Sequence, residues 1–177
     1  MPYRRWSKLF LTMRSLLTAT LLLTPLALAQ KQSPTAPLPG QHPLLTLTAK
    51  GVQIYTCKQV DASPQWVFQA PEATLYDENE AKVGTHTAGP LWKYKDGSSV
   101  KAESIATNPP PVPEAIPWLL LRAVSSQGSG LMTRVDSIRR TGTHGGVAPT
   151  IGCDAEHLNT AARIPYTATY TFYSVQP

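Results

Sequence analysis

The chain has 177 residues, with 16 Lys and Arg against 11 Asp and Glu, for a formal net charge of +5. Four of those 16 bases and none of the 11 acids fall in residues 1–29, so the rest of the chain carries a charge near +1. A near-neutral body of this length excludes a polybasic binder of nucleic acid or membrane, and it suits one domain that buries roughly 70% of the surface its unfolded chain exposes.

The first segment is basic through Arg4, Arg5, Lys8 and Arg14, then uncharged and leucine-rich from Ser15 to Ala29, ending Ala27-Leu28-Ala29 ahead of Gln30. A positive start, an apolar middle and small residues at the cleavage positions form a secretory signal over residues 1–29. The apolar run is shorter than the roughly 20 residues that cross a bilayer, and Pro25 interrupts it, so it is read as cleaved rather than as an anchor. No later stretch is apolar enough to span. The expected product is therefore secreted, to a periplasm or to the extracellular space, and does not span a membrane after cleavage. Residues 30–43 hold Pro34, Pro37, Pro39 and Pro43 and read as a flexible or polyproline leader. The domain is expected over 44–177.

From there the apolar period is two. Strands are expected at 52–57, 65–70, 73–76, 82–87, 91–94, 98–106, 118–121, 131–141 and 166–175, with turns at Asp77–Glu80, Asp96-Gly97 and Ser125–Gly130. Five prolines between Asn108 and Pro117 forbid a central strand and read as a stiff crossover that delivers Ile116 and Trp118 to the core. In the last strand Tyr166, Ala168, Tyr170 and Phe172 share one face, expected to be core, and a row of threonines shares the other. Helical periodicity is missing apart from a turn at Asp154–Leu158. The pattern is that of an all-β antiparallel sandwich or closed barrel of eight or nine strands.

Cys57 and Cys153 are the only cysteines. In an oxidising compartment they pair most simply as one disulfide, closing a loop of about 97 residues. The competing reading makes Cys153-x-x-x-His157 half of a copper–thiolate site, but no methionine follows to serve as axial ligand.

Three segments carry a likeness: His86-Thr-Ala-Gly-Pro-Leu-Trp92, Ile116-Pro-Trp-Leu-Leu-Leu121, and Thr141-Gly-Thr-His-Gly-Gly-Val-Ala-Pro149 with Cys153 behind it. With the opening Gly51–Cys57 and the closing Pro165–Tyr173, the chain resembles a family of secreted bacterial and fungal proteins catalogued as a domain of unknown function. The likeness covers about residues 44–175 and brings no catalytic or binding residues with it. Some members carry a malate dehydrogenase label. This chain has no strand, G-x-G-x-x-G and helix unit to hold a nicotinamide cofactor.

Two glycine-bearing loops hold the candidate chemistry. His86 and Trp92 flank Gly89-Pro90, and His144 precedes Gly145-Gly146. Glycine lets a backbone or ligand approach closely, and a partly exposed Trp92 suits stacking on a sugar or another flat apolar ligand. His86, Trp92, His144, Gly145 and Gly146 are thus the expected site of a non-enzymatic binding or extracellular interaction module, its partner a small molecule or glycan. No cofactor is expected. The alternative is a small metal-dependent or redox enzyme in which His86 and His144 hold copper or zinc; it requires the two imidazoles to converge on one point. Whether the chain is an enzyme stays open. Arg134, Arg139 and Arg140 could bind an anion, pair with Asp136 or stay solvated, and Arg139-Arg140 breaks the alternation as a bulge or strand end would. No serine elbow or carboxylate pair fits a hydrolase, and Asp77–Glu80 reads as an acidic turn rather than a calcium loop.

Overall fold

The alternating pattern folds, in a computed structural model that describes Met1 and residues 32–175, into eight strands. The secretory signal expected at 1–29 lies outside the described residues, apart from Met1. The strands are β1 (His42–Val60), β2 (Ser63–Tyr76), β3 (Lys82–Thr87), β4 (Leu91–Tyr94), β5 (Ser99–Asn108), β6 (Trp118–Gln127), β7 (Ser137–Gly145) and β8 (Ala161–Ser174). Each pairs antiparallel with the next, and β8 returns to β1, so the sheet is a closed barrel rather than a sandwich. Closure gives every strand a neighbour on both sides over at least part of its length, without a covering layer.

Unequal strand lengths give the barrel a protruding ribbon. β1 pairs with β8 over His42–Thr56 but with β2 over Thr48–Val60, so Cys57–Val60 and Ser63–Trp66 run on together past the wall. A two-residue turn, Asp61-Ala62, joins them. β2 is one strand where the sequence suggests two, because Pro71 does not break it. β3 begins pairing only at Ala73, which leaves one side of β2 open for the missing N–H. Gly51 allows β1 and β2 to approach: a Cβ there would lie 2.1 Å from the carbonyl oxygen of Glu72.

Side chains of alternate residues fill the interior. Leu47 and Ala49 from β1 meet Leu75, Val100 and Ile138, and the expected Tyr166, Ala168, Tyr170 and Phe172 face of β8 is fully buried. Met132 plugs the core from a 3-10 turn at Leu131–Arg134, where the sequence suggests strand. Asp96 explains the turn. Its carboxylate accepts from the amides of Ser98 (2.8 Å) and Leu131 (2.7 Å) and from the Ser98 hydroxyl (2.6 Å). That hydroxyl first, then the two amides, holds the Asp96 carboxyl below its ordinary range. Two further expectations change. The proline-bearing segment is not a loose leader: β1 starts at His42, Thr35 is buried, and Gln41 accepts a hydrogen bond from Ser137 at 2.5 Å. Trp118 is half-buried rather than core, with the Arg139 guanidinium 5.8 Å from its ring.

The bridge forms as expected between Cys57 and Cys153, with Cα atoms 5.3 Å apart. It fastens the segment after β7 to the ribbon, helped by Trp66 Nε1 donating to Ile151 O (3.0 Å) and by Asn159 N donating to Cys57 O (2.8 Å). With its sulfur so engaged, Cys153 is no copper ligand. His157 instead sits in a 3-10 turn at Ala155–His157 and bonds Asp154 at 2.6 Å.

Candidate functional site

The β3–β4 hairpin sets the first pair of site residues opposite each other. His86 and Trp92 are register partners, so both side chains leave the sheet on the same face, and that face is inward. Their rings stack at 4.1 Å and 9°, and Tyr170 stands edge-on to both, at 5.1 and 5.5 Å. Trp92 is 1% exposed and His86 3%. This corrects the expected solvent-facing Trp92: Pro90 and Lys93 are exposed, but strand alternation turns Trp92 into the barrel.

His86 donates from Nδ1 to the carbonyl of Leu91 at 3.1 Å, which fixes the neutral tautomer and leaves Nε2 as an acceptor. Burial pushes its pKa from the usual 6.5 down to about 3; the Leu91 carbonyl opposes this and the charge of Arg140 adds to it.

Beside this stack lies a cavity of about 100 Å³. Phe68, Pro71, Pro90, Leu119 and Leu121 supply apolar wall, and Gln53, His86, Trp92, Arg140 and Tyr170 supply polar groups. Arg140 pairs in register with Leu119 and with Tyr170, so it shares their inward phase. No bulge lies at Arg139-Arg140; the register shift falls between Thr141 and His144. Arg140 donates from Nε and Nη2 to the carbonyl of Pro117, at 3.1 and 2.8 Å. Its charge acts on the ionisation of Tyr55, His86, Tyr166 and Tyr170, which places it centrally among them. The Gln53 amide nitrogen and the Trp92 indole nitrogen are buried without a hydrogen-bond partner, while the buried hydroxyls of Tyr166 and Tyr170 reach each other and Arg140 reaches Tyr170. Burial raises the pKa of both tyrosines, and the adjacent Tyr170 raises Tyr166 further.

The structure does not bring His144 into this group. His144 pairs with Thr167, whose neighbours Tyr166 and Ala168 point inward, so His144 and Thr167 share the outer face and His144 is exposed. His86 and His144 therefore project from opposite faces of the wall. Among the described residues no group of three or more His, Cys, Asp or Glu is arranged to hold a metal ion. Gly145 and Gly146 close the barrel end instead. Gly145 O accepts from Ile116 N (3.0 Å), and Gly146 O accepts from the Tyr55 hydroxyl (2.7 Å). Gly146 has φ 83°, and a Cβ there would meet Tyr166 Cβ at 2.9 Å, Ile116 Cγ2 at 3.0 Å and Gln53 Cγ at 3.1 Å. Gly146→Ala is expected to lower stability by about 1–3 kcal/mol through this overpacking and the left-handed backbone. A urea midpoint unchanged from wild type would refute that packing role.

Gln53 and the inward turn of Arg140 are the residues the sequence reading missed. Phase alone could have found both. Gln53 occupies the same alternate positions as Leu47, Ala49 and Cys57 on β1, and Arg140 lies two residues from Ile138 on β7.

No curated protein and no solved structure matches the chain. A family model described as Protein of unknown function (DUF3455) matches residues 38–174, from the segment ahead of β1 to the last residue of β8. The match takes in the whole barrel, and the chain belongs to the DUF3455 family.

Proposed function

We propose that the protein is an exported, non-enzymatic binding barrel that takes a small molecule, or the end of a larger one, into the cavity beside His86 and Trp92. The observation that carries this is the composition of the cavity: an apolar wall on which several polar groups converge inside a rigid closed sheet. At about 100 Å³ it exceeds the roughly 10–15 Å³ that one water needs, yet it falls well below the roughly 300–1,000 Å³ of pockets for drug-sized ligands. The occupant is correspondingly small. A buried Trp92 argues against an open sugar platform and for an enclosed contact with its edge. Export is supported by the signal-like first 29 residues and suits the disulfide. The metal-dependent alternative gains no support among the described residues, where His86 and His144 project from opposite faces and no group of three or more His, Cys, Asp or Glu is arranged to hold a metal ion.

The test is a fragment screen by NMR on protein produced through export, following the indole N–H of Trp92. At least one fragment should shift that resonance. Leu119→Trp, which fills the cavity from a half-buried wall position, should weaken binding at least tenfold. The proposal fails if no fragment moves the Trp92 signal, or if binding survives in the filled variant.

A further inference from the structure

Resting on the cavity as the binding site, we infer that the group it recognises is a carboxylate. The polar atoms without a protein partner around Arg140 can all donate. They are the Gln53 amide nitrogen and the Trp92 indole N–H, with the one proton left over by the paired hydroxyls of Tyr170 and its neighbour Tyr166. Their side chains are 2%, 1%, 1% and 3% exposed. An unpaired buried donor costs about 1–3 kcal/mol, and three of them beside one guanidinium ask for a common acceptor.

Arg140 adds the charge. Two of its five N–H bonds are directed to Pro117 O and one reaches the Tyr170 hydroxyl, which leaves two for a ligand. Among the described residues the ion pairs are Lys50–Glu80, His157–Asp154 and Arg163–Glu72, all exposed, and none includes Arg140. The cavity wall contains no carboxylate. A half-buried guanidinium without a counter-ion, facing neutral donors, is complementary to a planar two-oxygen anion. His86 does not compete as a cation, since its burial keeps it neutral. The apolar wall of Phe68, Leu119 and Leu121 receives the organic part of the ligand. A small organic acid, or a terminal carboxyl entering from the barrel end, meets both requirements. A sugar meets neither, because it has no charge for Arg140 and its hydroxyls need acceptors as well as donors.

The experiment compares acetate, propionate and benzoate with acetamide, propionamide and benzamide, by titration of the full exported protein in low-chloride buffer with the Trp92 indole N–H as reporter. At least one acid should bind about tenfold or more tighter than its amide, the discrimination expected of a charge-assisted pair. Arg140→Gln should remove that preference, bringing the acid to the affinity of its amide; a preference that persists in this variant overturns the assignment. Equal binding of acid and amide overturns the carboxylate assignment and leaves the cavity as a binding site. If neither acids nor amides move the Trp92 signal, while a fragment of another class does, the assignment again fails alone. If nothing in any class moves it, the cavity reading fails too. Should Arg140→Gln not fold, Tyr170→Phe keeps the buried ring and removes one donor. It should weaken the acid by about three- to tenfold, the effect of one hydrogen bond, and the amide by a smaller factor, because a neutral carbonyl accepts more weakly than a carboxylate; an equal loss for acid and amide overturns the assignment.

Discussion

Replacing Cys57 and Cys153 with alanine is expected to lower unfolding stability by about 4–5 kcal/mol, the chain-entropy value for a loop of about 97 residues. The bridge joins β1 to the segment between β7 and β8, so β2 to β7 lie within the loop it closes, while most of β1 and all of β8 lie outside it. The double variant loses the constraint on its unfolded chain and also the clamp that sets Ile151 against Trp66. Urea unfolding of the oxidised protein, the reduced protein and the double variant measures the effect. The reduced protein and the variant should agree with each other and fall well below the oxidised form. A loss under about 1 kcal/mol would mean that the β1–β8 seam and the Trp66 contact hold the segment without the bridge, contrary to the loop-closure argument.

The second large effect is a loss of stability in acid, and it traces to His86. In the unfolded chain this imidazole takes a proton near pH 6.5; in the barrel it does so only near pH 3. Between those values the unfolded state binds the extra proton, so stability falls as pH is lowered, beginning near 6.5 and levelling near 3. The accumulated cost is about 4–5 kcal/mol. The groups packed against the ring are Trp92 of β4, Tyr170 of β8 and the charge of Arg140 from β7, and no carboxylate among them offsets the burial of an imidazolium. His86→Phe keeps an aromatic ring against Trp92 and removes the titration. It should be less stable at pH 7, by about 1–3 kcal/mol for the orphaned Leu91 carbonyl, yet its stability should fall less steeply between pH 6.5 and 4. Parallel pH profiles for the two proteins would rule His86 out as the source.

These effects show which features the sequence disclosed. The ends of β3 and β4 were legible because Gly, Pro and charged turn residues bracket short alternating runs. The disulfide was legible because two cysteines offer one pairing. The choice between sandwich and barrel was not, since it depends on whether β8 meets β1 or an edge, and alternation is identical in both. Strand lengths were underestimated wherever a proline or a polar residue sat inside a run. Pro71 is tolerated because β3 reaches only Ala73, a fact of register that no local pattern carries. Trp92 was placed outside on the strength of its exposed neighbours Pro90 and Lys93, whereas pairing with His86 turns it in. Arg139-Arg140 reads in the sequence as a bulge or strand end, yet the strand is regular there and its successive residues face opposite ways. One lies over Trp118 and the other enters the cavity.

The up-and-down connectivity also governs when the cavity comes into being. Seven of the eight strand pairings join neighbours in sequence, and the eighth joins the first strand to the last. The seven can form as hairpins in any order, but the seam between β1 and β8 must wait for the whole chain and bear its loop-closure entropy. Gln53 comes from the first strand of that seam and Tyr170 from the last. Gln53, Arg140 and Tyr170 meet around a common space only once the ends of the domain do, whatever hairpins have formed before. Recognition is thereby made conditional on completion: a fragment lacking either terminal strand keeps much of the sheet and has no binding site.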